Sequence, residues 1–360
     1  MRADSGGELA LLRQIRSRAA QSSRGGLRLG IGDDCALVAP CAGEELAITT
    51  DLSIAGRHFR LDWHPAEAVG HRAMARGLSD LAAMGARPVA AFLSLGLPRE
   101  LTVARGTRTA WVDRFLNGLL DLAKAHNTPL AGGDLAESPL AVADIVLVGA
   151  VPRGKALLRS GARPGDLLYV TGALGGAAHG LALLTPSNPS DARSSSPKPL
   201  HIPKKLETLL APHLYPQPRI AQGLWLRRNS LASAALDLSD GLSTDLHHLC
   251  EESGVCAEVD AASLPLHAGA NLDQALHGGE DYELLFTAAP SARLPLSIAG
   301  VPITKIGRIV KTRSGKPAIT LITPQGRQAL APHGWEHFSN MGQKEPQQNK
   351  TKFEKEAPAE

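Results

Sequence analysis

Seven aspartates, spread over five short motifs of this 360-residue chain, are the residues best suited to chemistry. In each motif an aspartate lies beside glycine, serine or threonine and next to an apolar run that is typical of a strand. The seven are Asp33, Asp34, Asp51, Asp80, Asp134, Asp237 and Asp240. Because a carboxylate at the end of a strand can face a cleft at the rim of a sheet, we expect these groups to meet in one shared cleft.

Carboxylates brought together in this way repel one another. At ~4 Å and an effective dielectric constant of about 20, each pair of charges costs roughly 4 kcal/mol. The groups must therefore either stay apart or be held together by hard cations. Oxygen ligands without a His or Cys partner suit Mg²⁺, which usually bridges carboxylates to the phosphates of a substrate. The aspartates therefore indicate magnesium-dependent nucleotide chemistry.

Each motif also has a purely structural interpretation, which the sequence leaves open. An aspartate in a Gly/Ser-rich turn is commonly a helix cap or part of an Asx turn. Asp80 lies four residues after Arg76 and could form an ion pair on the surface of a helix. Asp237 to Asp240 could cap a helix that begins near Gly241.

Composition excludes several classes of function. The net charge of +3 gives no electrostatic case for binding nucleic acid, and an aromatic content of 4% is too low for a base-stacking platform. The longest apolar run, Ile145 to Val151, is too short to cross a membrane. The N-terminal residues predict a short amphipathic helix and no secretory signal. We therefore expect a cytoplasmic protein with neither a nucleic-acid nor a membrane partner.

The four cysteines lack the CxxC spacing of a zinc site. They are Cys35, Cys41, Cys250 and Cys256. Their spacing, two pairs each six residues apart, leaves zinc open, but reduced thiols in the cores of a cytoplasmic protein fit better. We expect these thiols to be reduced and buried.

Helical and strand periodicities alternate along both halves of the chain, which indicates an α/β fold of mixed α+β character. In the first half we predict strand 45–54, helix Pro65 to Gly85, strand Val89 to Leu97, a helix from about Val103 to His126, and strands around Leu130 and over Val142 to Val151. In the second half we predict strands Leu167 to Thr171, Ala234 to Leu238, Val255 to Asp260, Tyr282 to Thr287, Ile303 to Ile309 and Ala318 to Ile322, with helices between the first three. A hydrophobic content of 43% is sufficient for two packed cores.

These patterns predict an N-terminal domain over residues 1–153 and a C-terminal α/β domain over residues 154–340. A Ser/Pro-rich segment, residues 185–204, interrupts the second domain and has almost no apolar content, so we expect a disordered insertion there. The charged segment 341–360 predicts a disordered tail.

The common phosphate-binding motifs are absent from the sequence. GxxxxGK[ST] does not occur, GIGDD lacks the third glycine of a dinucleotide fingerprint, and the HRD and DFG pair of protein kinases is missing. Gly132 and Gly133, before Asp134, could let backbone N–H groups approach a phosphate. Arg159 is the best candidate for a phosphate clamp, although a surface arginine before a turn fits equally well.

Seven motifs occur in an order that resembles the thiamine-monophosphate kinases. They are GIGDDCALV, TTDLSIAGRHF, LSDLAAMGARP, AGGDLAES, LLRSGARPGDLLYVTGALG, LDLSDGLSTDL and HGGEDYELLFT. This family lies within the superfamily of aminoimidazole ribonucleotide synthetase, selenophosphate synthetase and the hydrogenase maturation protein HypE. The resemblance extends from about Ile15 to Phe338 and is interrupted by the Ser/Pro-rich insertion.

The resemblance implies a two-domain synthetase-type fold. The N-terminal domains, each with a mixed sheet, would pair in a homodimer through a β-barrel-like interface, and ATP would lie between the two domains of a chain. The implied reaction converts thiamine monophosphate and ATP to thiamine diphosphate and ADP by direct in-line transfer of a phosphoryl group.

The resemblance also implies roles for individual residues. Several Mg²⁺ ions would be bound by Asp34, Thr49, Thr50, Asp51, Asp80, Asp134, Asp237 and Asp240. Nucleotide contacts would come from Gly133, Asp134, Arg159 and Ser239. Asp51 and Asp134 would matter most for catalysis, as metal ligands and not as general bases. Thiamine monophosphate would meet His58, Glu280 and Trp335, where the family usually carries Tyr or Phe at the last position.

Two alternatives remain open at this stage. One is a related ATP-dependent synthetase that activates an amide or acyl oxygen. The other is a non-catalytic protein that binds a nucleotide or a thiamine phosphate. A complete set of carboxylates favours an enzyme over the second alternative, since repelling groups are costly to keep without a cation.

Overall fold

A computed structural model describes residues 8–19, 26–104, 109–185, 204–312 and 317–334. Trp335, most of the Ser/Pro-rich insertion and the charged tail lie outside these residues, so the predictions made for them stay predictions. Among the described helices, none is long and apolar enough to cross a membrane.

The elements of the N-terminal half are α1 (Glu8–Arg18), β1 (Leu27–Leu29), β2 (Leu37–Val38), β3 (Glu44–Ile54), α2 (Ala66–Ala83), β4 (Arg87–Leu97), α3 (Trp111–Ala125), β5 (Leu130–Glu137) and β6 (Val142–Pro152). The elements of the C-terminal half are β7 (Leu167–Thr171), α4 (Gly176–Leu184), α5 (Lys204–Leu214), α6 (Ile220–Arg228), β8 (Ala234–Asp237), α7 (Leu242–Ser253), β9 (Cys256–Asp260), α8 (Leu272–His277), β10 (Leu284–Ala288), β11 (Ser297–Ile298), β12 (Val301–Val310), β13 (Ile319–Thr323) and β14 (Gly326–Ala329).

The first sheet has the strand order β3-β6-β4-β5, and β4 and β5 are its parallel pair. Its strands alternate between a face packed against α2 and a more exposed face, because successive side chains of a strand point to opposite sides. Along β3, Thr49 and Asp51 lie on the α2 side, whereas Ile48, Thr50 and Leu52 lie on the exposed side.

Helix α2 is the element that positions most of the site. It begins after Pro65 and ends at Met84, where Gly85 adopts a φ of +61° that favours glycine. Its buried side packs against the first sheet, and its small residues let α3 approach closely. A Cβ added at Gly70 would lie 1.9 Å from the carbonyl oxygen of Phe115, so this crossing requires glycine.

The second sheet has the strand order β14-β13-β9-β12-β7-β10-β8, and β11 pairs with β12 at one side. Most neighbours are antiparallel, and β9 and β13 run parallel. Helices α7 and α8 pack on this sheet, with Leu242, Leu246 and Leu249 of α7 in its core.

The largest hydrophobic core joins the two halves of the molecule. It contains Met74 and Leu78 of α2 together with Leu226 of α6, Ala235 of β8 and Phe286 of β10. Side chains at the boundary between α2 and the second sheet are therefore held from both sides. The predicted mixed α/β class is confirmed, and within the described residues one chain forms no closed barrel. The division near residue 153 stays a prediction.

The boundaries of two predicted elements were wrong. The helix predicted from Val103 begins at Trp111, where the buried helical stripe of Val112, Phe115 and Leu119 starts. The strand predicted from Tyr282 begins at Leu284, because Tyr282 has a φ of +52° that a strand does not allow.

The expected burial of the four thiols was half right. None of the four forms a disulfide, and Cys250 and Cys256 are buried, but Cys35 and Cys41 are exposed. The latter two lie in the turns around β2, where no core forms over them. Desolvation by burial raises the pKa of the Cys250 thiol to about 12, so this thiol is inert near neutral pH.

Candidate active site

A cleft of about 800 Å³ lies between the two halves of the chain. Its walls come from the loop after β3, from α2, from the turn between β8 and α7, and from the segment between α8 and β10. Seven of the predicted site residues line it, namely Asp51, His58, Asp80, Asp237, Ser239, Asp240 and Glu280. The sequence motifs of both halves therefore converge in one place.

Three carboxylates of this cleft come from three different elements. Asp51 lies within β3, Asp80 lies within α2, and Asp237 ends β8. Desolvation by burial raises the pKa of Asp51 to about 6, and the nearby charge of Asp80 adds to the effect. Burial, followed by the charge of Asp80, raises the pKa of Asp237 to about 7. The group therefore has the mutual repulsion that was expected for clustered aspartates.

Neighbouring side chains hold each of these carboxylates in place. The hydroxyl of Thr49 donates a hydrogen bond to Asp80. Ser79 Oγ donates to Asp237 Oδ2 at 2.6 Å, and Arg76 Nε lies 3.5 Å from Asp51 Oδ1. Burial raises the pKa of Asp80, whereas the bond from Thr49 and the charge of Arg159 lower it. Arg159 therefore lies within electrostatic range of Asp80.

Two structural interpretations of these aspartates were wrong. The surface ion pair between Arg76 and Asp80 does not form, since both groups are partly buried and Arg76 pairs with Asp51. Helix α7 begins at Gly241 without a side-chain cap from Ser239 or Asp240. The amides of Asp240 and Gly241 instead donate to Asp245 Oδ2 at 3.0 Å each.

A second group of predicted residues lies apart from the first. Asp33, Asp34, Gly133 and Asp134 line a separate pocket of about 510 Å³, together with Leu12 and Ile15 of α1. The expectation of one shared cleft within a single chain was therefore wrong. Gly133 is needed for its backbone shape, because a Cβ there would lie 1.9 Å from the carbonyl oxygen of Leu93 and its φ is +150°.

The two groups of residues are separated because Asp51 in one and Asp134 in the other lie on different edges and faces of the first sheet. Asp51 and Asp134 lie on opposite edge strands, about 14 Å apart at the usual strand spacing. They also face opposite sides, since Asp134 is in register with Ser94 and, through it, with Asp144 on the exposed face. Thr50 belongs to this second side, where its hydroxyl donates to Asp144 Oδ1 at 3.4 Å. Neither Asp51 nor Asp134 ends its strand, contrary to the expectation.

The same cleft is lined by two of the residues implied for thiamine monophosphate, His58 and Glu280. The imidazole of His58 accepts a hydrogen bond at Nδ1 from the amide of Ile54 at 3.0 Å. Glu280 adopts a φ of +67° and pairs with Arg72 at 2.6 Å. Trp335 follows directly after Gly334, which lines the cleft.

The donor set suits a cation that the substrate helps to bind. Among the described residues, no three His, Cys, Asp or Glu side chains surround a common point as a protein-only metal cage would. The carboxylates of Asp51, Asp80 and Asp237 nevertheless face one cleft and repel one another. Mg²⁺ ordinarily takes one or two carboxylates and completes its shell with phosphate oxygens and water. The residues present fit that mode of binding.

Comparison with known proteins agrees with this architecture. Residues 32–151 match the family model described as AIR synthase related protein, N-terminal domain, and residues 163–319 match AIR synthase related protein, C-terminal domain. The thiamine-monophosphate kinase of Escherichia coli strain K12 is 40% identical over 346 residues, which cover 92% of this chain and 98% of that protein. The chain belongs to the thiamine-monophosphate kinase family. The resemblance seen in the seven motifs is therefore confirmed.

Solved structures extend the similarity to the family's fold. The crystal structure of the thiamine-monophosphate kinase from Stenotrophomonas maltophilia K279a has a TM-score of 0.72 and 38% identity, covering 87% of this chain and 96% of that one. AaThiL complexed with AMPPCP and TMP has a TM-score of 0.67 and 31% identity, covering 94% and 99%. Both halves of the chain therefore share the fold of the thiamine-monophosphate kinase family.

Several residues of the site were missed from the sequence. Arg72 and Ser79 lie on the same helix as Asp80, yet each contacts a residue of the C-terminal half. Asp245 accepts a hydrogen bond from the amide of Asp240 and thereby stabilises the turn that contains Asp240. An acid in the first turn of α7 was a visible signal for Asp245, because acids are favoured near helix N-termini. Nothing local distinguished Arg72 or Ser79.

Proposed function

We propose that this chain is a thiamine-monophosphate kinase, which transfers the γ-phosphoryl group of ATP to thiamine monophosphate and releases thiamine diphosphate and ADP. The observation that carries the proposal is the arrangement of the cleft. The carboxylates of Asp51, Asp80 and Asp237 line the same cavity as His58 and Glu280. A site for phosphates and a site for an organic acceptor therefore adjoin each other.

The reaction depends on the positioning of both substrates and on charge compensation more than on proton transfer. The phosphate of thiamine monophosphate is anionic at neutral pH, so its attack on ATP needs no strong general base. Phosphoryl transfer is accelerated mainly by holding both partners in line and by stabilising charge. We assign Asp51 and Asp134 to the binding of metal–nucleotide, and His58 to a hydrogen bond with the acceptor.

Mg²⁺ would be held by members of the predicted set, Asp34, Thr49, Thr50, Asp51, Asp80, Asp134, Asp237 and Asp240. When bound, it supplies positive charge that offsets the repulsion between two anionic phosphate groups. The chain's own contribution is to keep its ligands oriented before substrate arrives. Thr49 fixes Asp80, Ser79 fixes Asp237 and Arg76 restrains Asp51. Arg159, Ser239 and Gly133 would then contact the nucleotide.

We also propose that the working unit is a homodimer. The exposed face of the first sheet carries Ile48 and Leu52 with exposed fractions of 64% and 46%, beside Leu46 at 39%. These residues form an apolar stripe that Thr50 interrupts, and exposed apolar surface on a sheet favours burial against another surface. A second copy paired on this face would cover the stripe and bring residues of its own sheet toward those of the first, which supports an association of the N-terminal domains.

The domain limits and the location follow from the same arrangement. We propose domains over residues 1–153 and 154–340, since each includes one of the two larger sheets. Four cysteines outside disulfides, two of them exposed, suit the reducing conditions of the cytoplasm, where we expect the enzyme to act.

Release of ADP tests the function directly. The purified protein is incubated with Mg-ATP and either thiamine monophosphate, thiamine or no acceptor. We expect ADP and thiamine diphosphate only with thiamine monophosphate. A synthetase that activates an amide or acyl oxygen would release no ADP with this acceptor, and a non-catalytic binder would be stabilised by ligands in a thermal-shift assay without releasing any ADP.

A further inference from the structure

The most connected charged group beside the cleft is the guanidinium of Arg72 on α2. We propose that Arg72 is a positioning residue that sets the distance and orientation between His58 and Glu280, and thereby the affinity for the phosphate acceptor. This inference rests on the proposed function, in which these two residues bind thiamine monophosphate.

The contacts of Arg72 join three segments that are distant in sequence. Its Nη2 donates to the carbonyl oxygen of His58 at 3.2 Å and to Glu280 Oε1 and Oε2 at 2.6 and 2.7 Å. Its Nη1 donates to the carbonyl oxygen of His213 at 3.2 Å. The loop after β3, the end of α5 and the segment before β10 therefore meet on one planar group.

The local conformations at these contacts need such an external restraint. Glu280 has a φ of +67°, which non-glycine residues rarely adopt, so its backbone conformation is imposed by the surrounding structure. His58 lies in a short turn, where its amide donates to the carbonyl oxygen of Ile54 at 3.0 Å. A single guanidinium that touches both segments can hold them together more firmly than either local sequence can.

Electrostatic attraction holds the carboxylate of Glu280 against the guanidinium of Arg72. The Arg72 side chain is only 6% exposed, and Glu280 is its paired carboxylate. Behind it, His213 Nε2 lies 2.7 Å from Nη1, and His64 Nε2 lies 2.9 Å from His213 Nε2. Burial and the charge of Arg72 lower the pKa of both rings, so both are neutral near pH 7. A buried cation with neutral groups at its back attracts the one carboxylate at its front.

The geometry of the guanidinium is needed for this role. Arg has a rigid fork with donors in fixed directions, whereas Lys has a single ammonium nitrogen. A lysine at position 72 could keep the ion pair with Glu280 but could not also satisfy the carbonyl groups of His58 and His213. A lysine at position 72 keeps the positive charge but not the fork of donors. It should therefore restore folding more fully than it restores binding of the acceptor.

Steady-state kinetics of Arg72→Gln, Arg72→Lys and a matched control test the inference. The control is Arg114→Gln, because Arg114 on α3 also binds a carboxylate through two nitrogens, at 2.7 Å each to Glu67, away from the cleft. We expect Arg72→Gln to raise KM for thiamine monophosphate about 10-fold or more, with KM for ATP within about 2-fold of wild type. Arg72→Lys should show a smaller but clear rise in the same KM, and Arg114→Gln should resemble wild type.

A double-mutant cycle with Glu280→Gln separates positioning from a purely structural tie. If Arg72 sets the geometry between His58 and Glu280, the effects on KM for thiamine monophosphate should couple, and the double variant should be affected by clearly less than the product of the two single effects. Multiplying effects, equal changes in both KM values, or wild-type kinetics in Arg72→Gln would overturn the inference. If Arg72→Gln does not fold, as judged by its melting curve, Arg72→Lys decides by the same criteria. A wild-type protein that releases no ADP with thiamine monophosphate would instead remove the proposed function, and this inference with it.

Discussion

The hydroxyl of Ser79 in the middle of α2 donates a 2.6 Å hydrogen bond to the carboxylate of Asp237 at the end of β8. Residues 158 positions apart thus connect the helix of the first sheet to a strand of the second. Ser79 is fully buried, and Asp237 is 5% exposed. The contact links the stability of the packing between the two halves of the chain to the ionisation of a residue in the proposed site.

Ser79→Ala should therefore destabilise the protein in a pH-dependent way. The hydrogen bond lowers the pKa of Asp237, against the larger effect of burial, so it stabilises the ionised carboxylate. We expect a loss of about 1–3 kcal/mol in the free energy of unfolding at pH 8, as for a bond to a charged group, and a smaller loss at pH 6. Denaturant titrations at the two pH values measure this. Ser17→Ala, which removes an exposed hydroxyl on α1, is the control; an equal loss at both pH values would contradict the assignment.

Asp51→Asn and Asp134→Asn should each lower turnover by at least about 100-fold, comparable to the loss of a main electrostatic element of a site. Without substrate, Asp51→Asn should unfold at the same or a higher temperature than wild type, because one of the mutually repelling carboxylates is gone. Asp121→Asn, at an exposed carboxylate of α3, should leave both quantities unchanged. Near-full activity in either site variant would show that the substituted aspartate has a structural role and not a catalytic one.

Mixing these two inactive variants tests whether Asp51 and Asp134 from different copies of the chain form one site. Asp51 and Asp134 lie on opposite edges and faces of one sheet, so a single chain holds them far apart. If a homodimer brings Asp51 of one copy near Asp134 of the other, mixed dimers contain one intact site. We expect exchanged mixtures of Asp51→Asn and Asp134→Asn to recover roughly a quarter of wild-type activity, on the statistical expectation for one site in half of the dimers. Two copies of the same variant should recover nothing, and an inactive mixture with proven exchange would show that no site combines Asp51 of one copy with Asp134 of the other.

The buried His64 should make stability depend on pH in a defined direction. Burial and the charge of Arg72 lower the pKa of His64 to about 4, below the ordinary value of 6.5. Because the folded pKa is lower than the unfolded pKa, the stabilising contribution is present above pH ~6.5 and is lost as pH falls toward 4. Relative to His64→Gln, wild type should lose about 1–2 kcal/mol of unfolding free energy between pH 7 and 5. His248→Gln controls for the loss of a half-exposed ring, whose side chain is 44% exposed; a pH-independent difference for His64→Gln would show that the ring titrates normally.

Trp335→Ala should weaken acceptor binding selectively. Thiamine monophosphate carries a cationic thiazolium and a flat pyrimidine, and an indole attracts such a cation by roughly 0.5–2 kcal/mol. Trp335 lies outside the described residues but follows Gly334 at the cleft. We expect KM for thiamine monophosphate to rise about 3- to 30-fold with little change for ATP, and Trp335→Tyr to restore most of the loss. Equal shifts in both KM values, or a lower melting temperature with unaltered KM, would show that Trp335 only fastens the C-terminus.

The sequence by itself determined many of the elements, the fold class and the chemical character of the site, whereas α5 and α8 were not predicted. Helix α2 and strands such as β6 and β12 lie close to their predicted bounds, because their signals are local: apolar periodicity, Pro65 before the helix and Gly85 after it. The aspartate motifs were visible for the same reason, since each keeps its identity within a few residues. The resemblance over seven motifs then pointed to the family that the comparisons confirmed.

Only the tertiary structure decided which of these residues meet. A strand's alternation sends Thr49 and Asp51 to one face and Thr50 to the other, so adjacent residues of one motif belong to different surroundings. The order of the strands, and not the order of the chain, placed Asp134 on the opposite edge from Asp51. Arg72 could not be recognised from sequence, because its partners come from the loop after β3, from α5 and from the segment before β10. Such contacts depend on how the helices and sheets pack across the whole chain, and no local pattern records them.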